Sequence, residues 1–391
     1  MTTSVLAVPR DHRSTSAAAV LRAVLARGPL ARDSLAELTG ISPAGVSRQC
    51  ASLAGLGLLT ARPAAPPANR RTAGRPRTEL DIAADRHAVF GVHIAHHFAT
   101  LAALDLRGRV LASERIPHRG GEPEQILAGT AARLREFRRR HQRGRIPVGL
   151  GVASGGWVDP DTGAIVEHSS LGWYDVPAGP ILAELSGLPT RVDGHARALA
   201  SAEAMFGIAR GCGSLVHLFV GNVVDAAIVS GGRLCRGPGS AAGTVAHLPL
   251  GALDTPCACG RSGCFEADAA EWAVTARAGR ASIADVVDAA GSGDPAALDV
   301  LLARARVIGR AAALLFDVVN PEVLVVAEPG IAGLPACRDV VRAEVSARSR
   351  GRVDAAARVL PTSFPGRDLL GVAAGAVQLD ALYTDPHAFL A

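Results

Sequence analysis

The tightest constraint in this sequence lies between Gly243 and Glu266, GTVAHLPLGALDTPCACGRSGCFE. There His247 precedes Cys257, Cys259 and Cys264, and four soft or borderline donors in so short a span suit tetrahedral zinc. The fold must therefore bring one imidazole and three thiols to a point. Cys257-Ala258-Cys259 is too close-set for an ordinary zinc-knuckle pair, and Gly260 and Gly263 let the backbone turn back toward Cys264. A disulfide between two of the three cysteines is the alternative. Seven cysteines, an odd number with three clustered, fit a reducing cytoplasm and a single metal site.

At 391 residues the chain exceeds one typical domain, and two or three are expected. With 49% apolar and only 4% aromatic residues, its core is built from Ala, Leu and Val. Every basic residue is Arg, a chain-wide bias that says little about any one site. The net charge of +5 is unevenly spread: residues 1–80 hold eleven Arg against four acids, which leaves the remainder slightly acidic. A basic head on a near-neutral body points to nucleic acid at one end. Met1–Val8 is too short for a signal peptide, and no run reaches the ~20 apolar residues of a membrane span, so a soluble cytoplasmic protein is expected.

Apolar positions at Val20, Leu21, Val24 and Leu25 predict a helix over Ser14–Ala26, stopped by Gly28-Pro29. A second short helix over Ser34–Thr39 ends at Gly40. Ile41-Ser42-Pro43 then opens a third, with Ser42 as N-cap and Pro43 at its first position. Helix, short glycine-containing turn, helix is the helix-turn-helix pattern. Val46, Leu53 and Leu56 form the apolar face of the third helix, while Ser42, Ala44, Ser47, Arg48 and Gln49 are left to read base edges in a major groove. A plain packing bundle is the alternative, but a wing and a basic tail follow. Leu58-Leu59-Thr60 reads as a wing strand, and the Pro/Ala/Arg-rich segment 61–78 as wing tip and linker. Within it Arg70, Arg71, Arg75 and Arg77 are placed to hold phosphate or a minor groove, or simply to be solvated.

From Ala88 onward, strands alternate with helices, which implies an α/β body. Strands are expected at Val89–Val92, Thr100–Asp105, Val148–Val152 and Val323–Val326, and a hairpin over Leu215–Leu234. Helices are expected over Gln125–Arg140, Ala196–Phe206, Ala297–Val318 and Gly371–Leu382.

Taken in order, these blocks resemble the ROK family of sugar kinases and repressors. The most specific part is Ala242–Glu266, which is similar to the family's A-G-E-x-G-H…C-x-C-G-x-x-G-C-x-E signature. Glu167–Trp173, Val192–Glu203, Gly231–Leu234 and Asn320–Val323 add to it. The resemblance implies a winged helix-turn-helix over 1–80 ahead of a two-lobed, actin-like (ribonuclease-H-like) α/β body. The first lobe is expected over 81–192 with a closing helix at 370–391, and the second over 193–369 with the zinc loop and a dimerisation surface. An N-terminal winged helix marks the family's regulators.

Departures from the family pattern bear on activity. The first phosphate loop, D-x-G-G-T, falls on His93-Ile94-Ala95-His96-His97, and the second, G-T-G-x-G, on Gly221-Asn222-Val223-Val224-Asp225. The late Gly-Gly of the adenosine site becomes Ala327-Glu328, and the Asn-Asp pair that supplies the general base falls on Gly194-His195. Phosphoryl transfer depends on holding the nucleotide phosphates, and little of that apparatus remains. The sugar-contacting Glu is Thr244, leaving His247 and Glu266 of that set. His195, Thr244, His247 and Glu266 are the candidate effector contacts. Histidines 93, 96, 97, 168 and 195 either line the emptied cleft or are scattered over core and surface. The reading is a non-enzymatic DNA-binding regulator, a repressor of carbohydrate-related or other metabolic genes. It carries structural Zn2+, forms a homodimer or homotetramer on double-stranded operator DNA, and has a possible sugar-type effector. A ROK sugar kinase with a DNA-binding head is the alternative.

Overall fold

The computed structural model describes residues 16–63, 78–118, 121–350, 354–364 and 366–388. Three helices form the head: α1 (Ser16–Arg27), α2 (Arg32–Thr39) and α3 (Pro43–Gly55). Gly40 closes α2 in the left-handed region, φ 64°, with its N–H on the Ala36 carbonyl. Ser42 Oγ accepts from the Gly45 amide at 3.2 Å, and Pro43 fills the first turn of α3. Val20, Leu21, Val24, Leu35, Val46, Cys50 and Leu53 meet in the middle. Cys50 belongs to this core, where burial raises its thiol pKa.

After α3 come β1 (Leu59–Pro63) and β2 (Thr78–Ile82), paired antiparallel from Leu59 opposite Ile82 to Pro63 opposite Thr78. Residues 61–63 and 78, at the two ends of the segment read as wing tip and linker, therefore lie in paired strands. They include the end of one hairpin strand and the start of the next. The arginine- and proline-rich stretch hid β2, whose alternation lasts only five residues. Leu30 and Leu80 exchange backbone hydrogen bonds, which clamps β2 to the helices. The head core then runs unbroken into the body, where Leu58, Leu80 and Ile82 join Leu104, Leu106, Leu379, Leu382 and Tyr383 in one apolar cluster.

The body holds two five-stranded sheets. In the first, strand order is β10 (Thr190–Gly194), β6 (Ile146–Ser154), β3 (His87–Ile94), β4 (Phe98–Leu104), β5 (Val110–Pro117). β3, β6 and β10 are parallel, and β4 and β5 antiparallel. Every residue of β3 is buried, whereas edge strand β5 alternates between half-buried and exposed positions. Helices α4 (Pro123–His141) and α5 (Ala178–Ser186) cover one face. A three-stranded sheet of β7 (Trp157–Asp159), β8 (Ala164–His168) and β9 (Trp173–Val176) lies alongside. The other face carries α6 (His195–Met205) and the last helix, α13 (Leu369–Thr384), which lies so close that a Cβ at Gly91 or Gly151 would strike Ala374.

The second sheet runs β13 (Arg233–Leu234), β12 (Val224–Ser230), β11 (Leu215–Val220), β14 (Val323–Ala327), β15 (Val359–Pro361). Val216, Leu218 and Val220 face the long helix α10 (Pro295–Val319), which α12 (Pro335–Arg348) backs. Short helices α7 (Phe265–Ala269), α8 (Glu271–Ala278), α9 (Ile283–Gly291) and α11 (Pro329–Gly333) pack around α10. On the opposite face, Leu215 and Phe219 meet Ala196, Leu199 and Ala200 of α6. Helix α6 thus packs against both sheets, and its first residue, His195, lies where the lobes meet. Among the described residues, no helix is long and apolar enough to cross a membrane.

Candidate functional site

Three sets of side chains carry chemistry. On the head, the capped start of α3 leaves Ser42, Ala44, Ser47 and Arg48 exposed and Gln49 half-buried, with Val46 and Cys50 turned inward. A helix start that is free of the core and carries small and polar side chains is what a major groove admits. Arg70, Arg71, Arg75 and Arg77 lie outside the described residues.

In the second set, the loop after β13 brings His247, Cys257, Cys259 and Cys264 together, with one donor atom from each lying within 4.8 Å of the others. Cys257 Sγ is 3.6 Å from His247 Nδ1, and Cys259 Sγ is 3.6 Å from Cys264 Sγ. All seven cysteines are free, so the disulfide alternative falls. Turn geometry does the assembling. Gly260 and Gly263 take positive φ, 84° and 74°, the Cys257 amide donates to the Arg261 carbonyl at 2.8 Å, and the Gly260 amide donates back to Cys257. Asp268, on α7, accepts from the Thr255 hydroxyl and from the Ala252 amide, fixing the far side of the loop.

The electrostatics of the four donors differ. Hydrogen bonding from Arg261 lowers Cys259 to about 6, which favours its thiolate form. Burial, together with hydrogen bonding to Cys259, pushes Cys264 up to about 12. A cation held by these four donors would supply the charge that favours loss of that proton. Three sulfurs and one imidazole are a donor set for a soft or borderline ion, and the cluster could hold one metal ion.

The third set lies between the lobes. His93 is the penultimate residue of β3, His168 ends β8, His195 opens α6 and Asp225 belongs to β12. His93 Nε2 is 3.4 Å from His195 Nδ1, and His195 Nε2 is 3.3 Å from Asp225 Oδ2. His168 Nδ1 meets the Ser170 hydroxyl at 3.2 Å. Burial, reinforced by neighbouring His195, lowers His93 well below the usual imidazole range and His168 to about 4. His217, on β11, is fully buried with neither ring nitrogen partnered, and burial lowers it to about 3.

The other cleft residues fall on either side of this group. His96 and His97 pack against each other in the β3–β4 turn, their ring centroids 3.9 Å apart. Glu266 accepts from the Val224 amide at 3.0 Å, and burial raises its carboxyl pKa. Thr244 is exposed and its hydroxyl donates to Ala241 O at 3.0 Å, so it turns onto its own loop rather than toward the histidines. Asp225 and His217 escaped sequence reasoning as members of this group. A carboxylate on β12 that meets an imidazole 30 positions earlier leaves no local pattern. His217 did leave a signal: it is the one polar residue of the strand LVHLFV.

Comparison with known proteins places these sites in context. A transcriptional regulator of Mycobacterium tuberculosis H37Rv is 35% identical, covering 97% of this chain and 88% of that protein. The DNA-binding transcriptional dual regulator NagC of Escherichia coli K12 is 28% identical, covering 81% of this chain and 80% of its own length. Among solved structures, a ROK transcriptional regulator described as a homologue of the E. coli MLC protein shares the fold, with a TM-score of 0.79 at 22% identity, covering 96% of this chain and 98% of that one. ROK sugar kinases share the fold of the body across 75% of this chain. Residues 89–373 match the ROK family model, and the chain belongs to the ROK family.

Proposed function

We propose that this chain is a DNA-binding transcriptional regulator, a repressor of carbohydrate-related or other metabolic genes in the cytoplasm, whose ROK body dimerises and senses an effector without catalysis. The observation that carries the reading is the exposed start of α3 on a head fused to a ROK body. In this reading residues 1–80 are a winged helix-turn-helix, 81–192 with 370–391 the first lobe, and 193–369 the second. Ser42, Ala44, Ser47, Arg48 and Gln49 read bases, while Arg70, Arg71, Arg75 and Arg77 hold phosphate or minor groove. Two heads of a homodimer, or four of a homotetramer, read symmetric half-sites. His247, Cys257, Cys259 and Cys264 hold structural zinc, since four protein donors leave no position for a substrate. His195, Thr244, His247 and Glu266 are the candidate contacts of the effector cleft, Thr244 through its loop, and a sugar or sugar derivative is one candidate ligand class beside an altered ligand or none.

Absence of catalysis is supported by what stands at the kinase positions. A buried imidazole, His195, takes the place of the general base, and Asp225 presents a negative charge where a phosphate would lie. At the ends of β11 and β14, Arg304 donates to Glu328 at 2.7 Å and to the Val220 and Ala269 carbonyls, with both side chains of the pair buried. Glu328 of this ion pair stands where the family resemblance puts the second Gly of the adenosine site. Genome-wide binding of the tagged protein, followed by gel shifts on the best site with a panel of sugars and sugar phosphates, tests the regulator. A palindromic motif is expected. ATP-dependent sugar phosphorylation that is lost on changing His195 would instead establish the kinase.

A further inference from the structure

Two thiols of the four-donor loop touch each other and differ sharply in their access to solvent. Cys259 is exposed, whereas Cys264, whose sulfur lies 3.6 Å from that of Cys259, is only 1% exposed. A solvent-facing thiol with a second sulfur in contact behind it is the arrangement on which oxidants act: the first sulfur is oxidised and the second resolves it. The observed spacing suits two states. Two sulfurs on one zinc ion, each about 2.3 Å from it, stand about 3.8 Å apart at a tetrahedral angle. A disulfide needs about 2.05 Å, so the sulfurs have only about 1.6 Å to close.

The backbone frees one partner and fixes the other. Gly260, next to Cys259, has φ 84° and open space where a Cβ would stand. Cys264 is the N-cap residue of α7. On either side of it the Gly263 amide donates to the Thr255 carbonyl and the Phe265 amide to the Leu248 carbonyl, both at 2.8 Å. Cys257 is the poorer partner for Cys259. Only Ala258 separates the two, so a bond between them closes a cramped ring, and the Cys257 sulfur instead faces His247 Nδ1 at 3.6 Å.

We propose that Cys259 and Cys264 form a peroxide-sensitive modification site, at which hydrogen peroxide joins the two sulfurs in a disulfide. The Cys259 thiolate attacks one peroxide oxygen, the O–O bond breaks and hydroxide leaves, which makes Cys259 a sulfenic acid. The Cys264 thiolate then attacks that sulfur, the S–O bond breaks and a second hydroxide leaves. Two electrons have passed from the sulfurs to one peroxide. In a reducing compartment such a bond is transient, and free thiols reverse it. For the metal, the consequence rests on the zinc reading of this loop. The bond leaves only His247 and Cys257 as donors, too few for a closed site, so bound zinc is released.

The test treats the full-length protein with stoichiometric hydrogen peroxide after its zinc content has been measured by elemental analysis. Released zinc is followed with a chromogenic chelator, and the cysteines are mapped by mass spectrometry of unreduced peptides. A Cys259–Cys264 linkage is expected, with about one zinc ion per chain released in step with it. Dithiothreitol with added Zn2+ restores both thiols and the metal. Cys235, the other exposed cysteine, is the internal comparison, and Cys235→Ser leaves the release unchanged. Three results overturn the site: loop thiols that stay reduced while Cys235 oxidises, a linkage between Cys257 and Cys259, or a sulfinic acid at Cys259 with Cys264 still free. Protein that holds no zinc at the outset yet forms the Cys259–Cys264 linkage removes the zinc reading and keeps the modification site.

Discussion

Arg22 and Tyr383, 361 positions apart, join the N-terminal head to the last helix of the body. Arg22 Nε donates to the Tyr383 carbonyl at 3.0 Å, and the Tyr383 hydroxyl donates to the Leu106 carbonyl at 2.7 Å. One residue of α13 thus bonds α1 on one side and the first lobe on the other. Ser52 of α3 adds a contact to His387 at 2.8 Å. Head and body are packed as one piece, with α1 bonded to α13 and α3 to the residues just after it.

Tyr383→Phe removes the hydroxyl that satisfies a buried carbonyl. Leaving such an acceptor unpaired costs about 1–3 kcal/mol. The urea midpoint is expected to fall accordingly, and hydrogen exchange in α1 to accelerate. An unchanged midpoint would mean that the joint rests on apolar packing alone.

His217 makes stability pH-dependent in a definite direction. Burial depresses its pKa to about 3 in the folded protein, against about 6.5 when unfolded. Between those values the unfolded chain binds the extra proton, so stability falls as pH drops from about 7 toward 3, by up to about 1.4 kcal/mol per pH unit. His217→Leu is expected to flatten part of that slope in urea melts from pH 7 to pH 5. Parallel curves for the two proteins would assign the acid sensitivity elsewhere.

Cys259→Ser removes one of four donors from the loop that follows β13. Bound metal, measured by elemental analysis, and thermal stability are expected to fall together, because ligation contributes to folding. A full metal complement in the variant would remove Cys259 from the ligand set.

Much of this was legible in the sequence, for physical reasons that differ from site to site. Ligand chemistry is local: three cysteines and a histidine within 18 residues mark a cluster that could hold a metal before any fold is known. The start of α3 was legible because Ser42-Pro43 is a cap with a mechanism. Strand β2 was not, since five alternating residues after an arginine-proline run carry little signal. The union of head and body was not legible either. Arg22–Tyr383 and Leu30–Leu80 are contacts between distant positions, and only the folded chain makes them. His93 and His195 were legible as cleft candidates, but not their direct contact with each other or the nearness of Asp225.

The central claim is that α3 reads a DNA sequence, and fluorescence anisotropy with the unaltered protein and Arg48→Ala tests it most directly. Both would be titrated at one fixed salt concentration against the best genomic site and a scrambled duplex. The account predicts that the unaltered protein prefers the genomic site by about 10^3-fold or more. It predicts that Arg48→Ala loses about 1–3 kcal/mol on that site and far less on the scrambled duplex. Equal losses on both would make Arg48 a phosphate contact, and no preference by the unaltered protein would contradict the regulator itself.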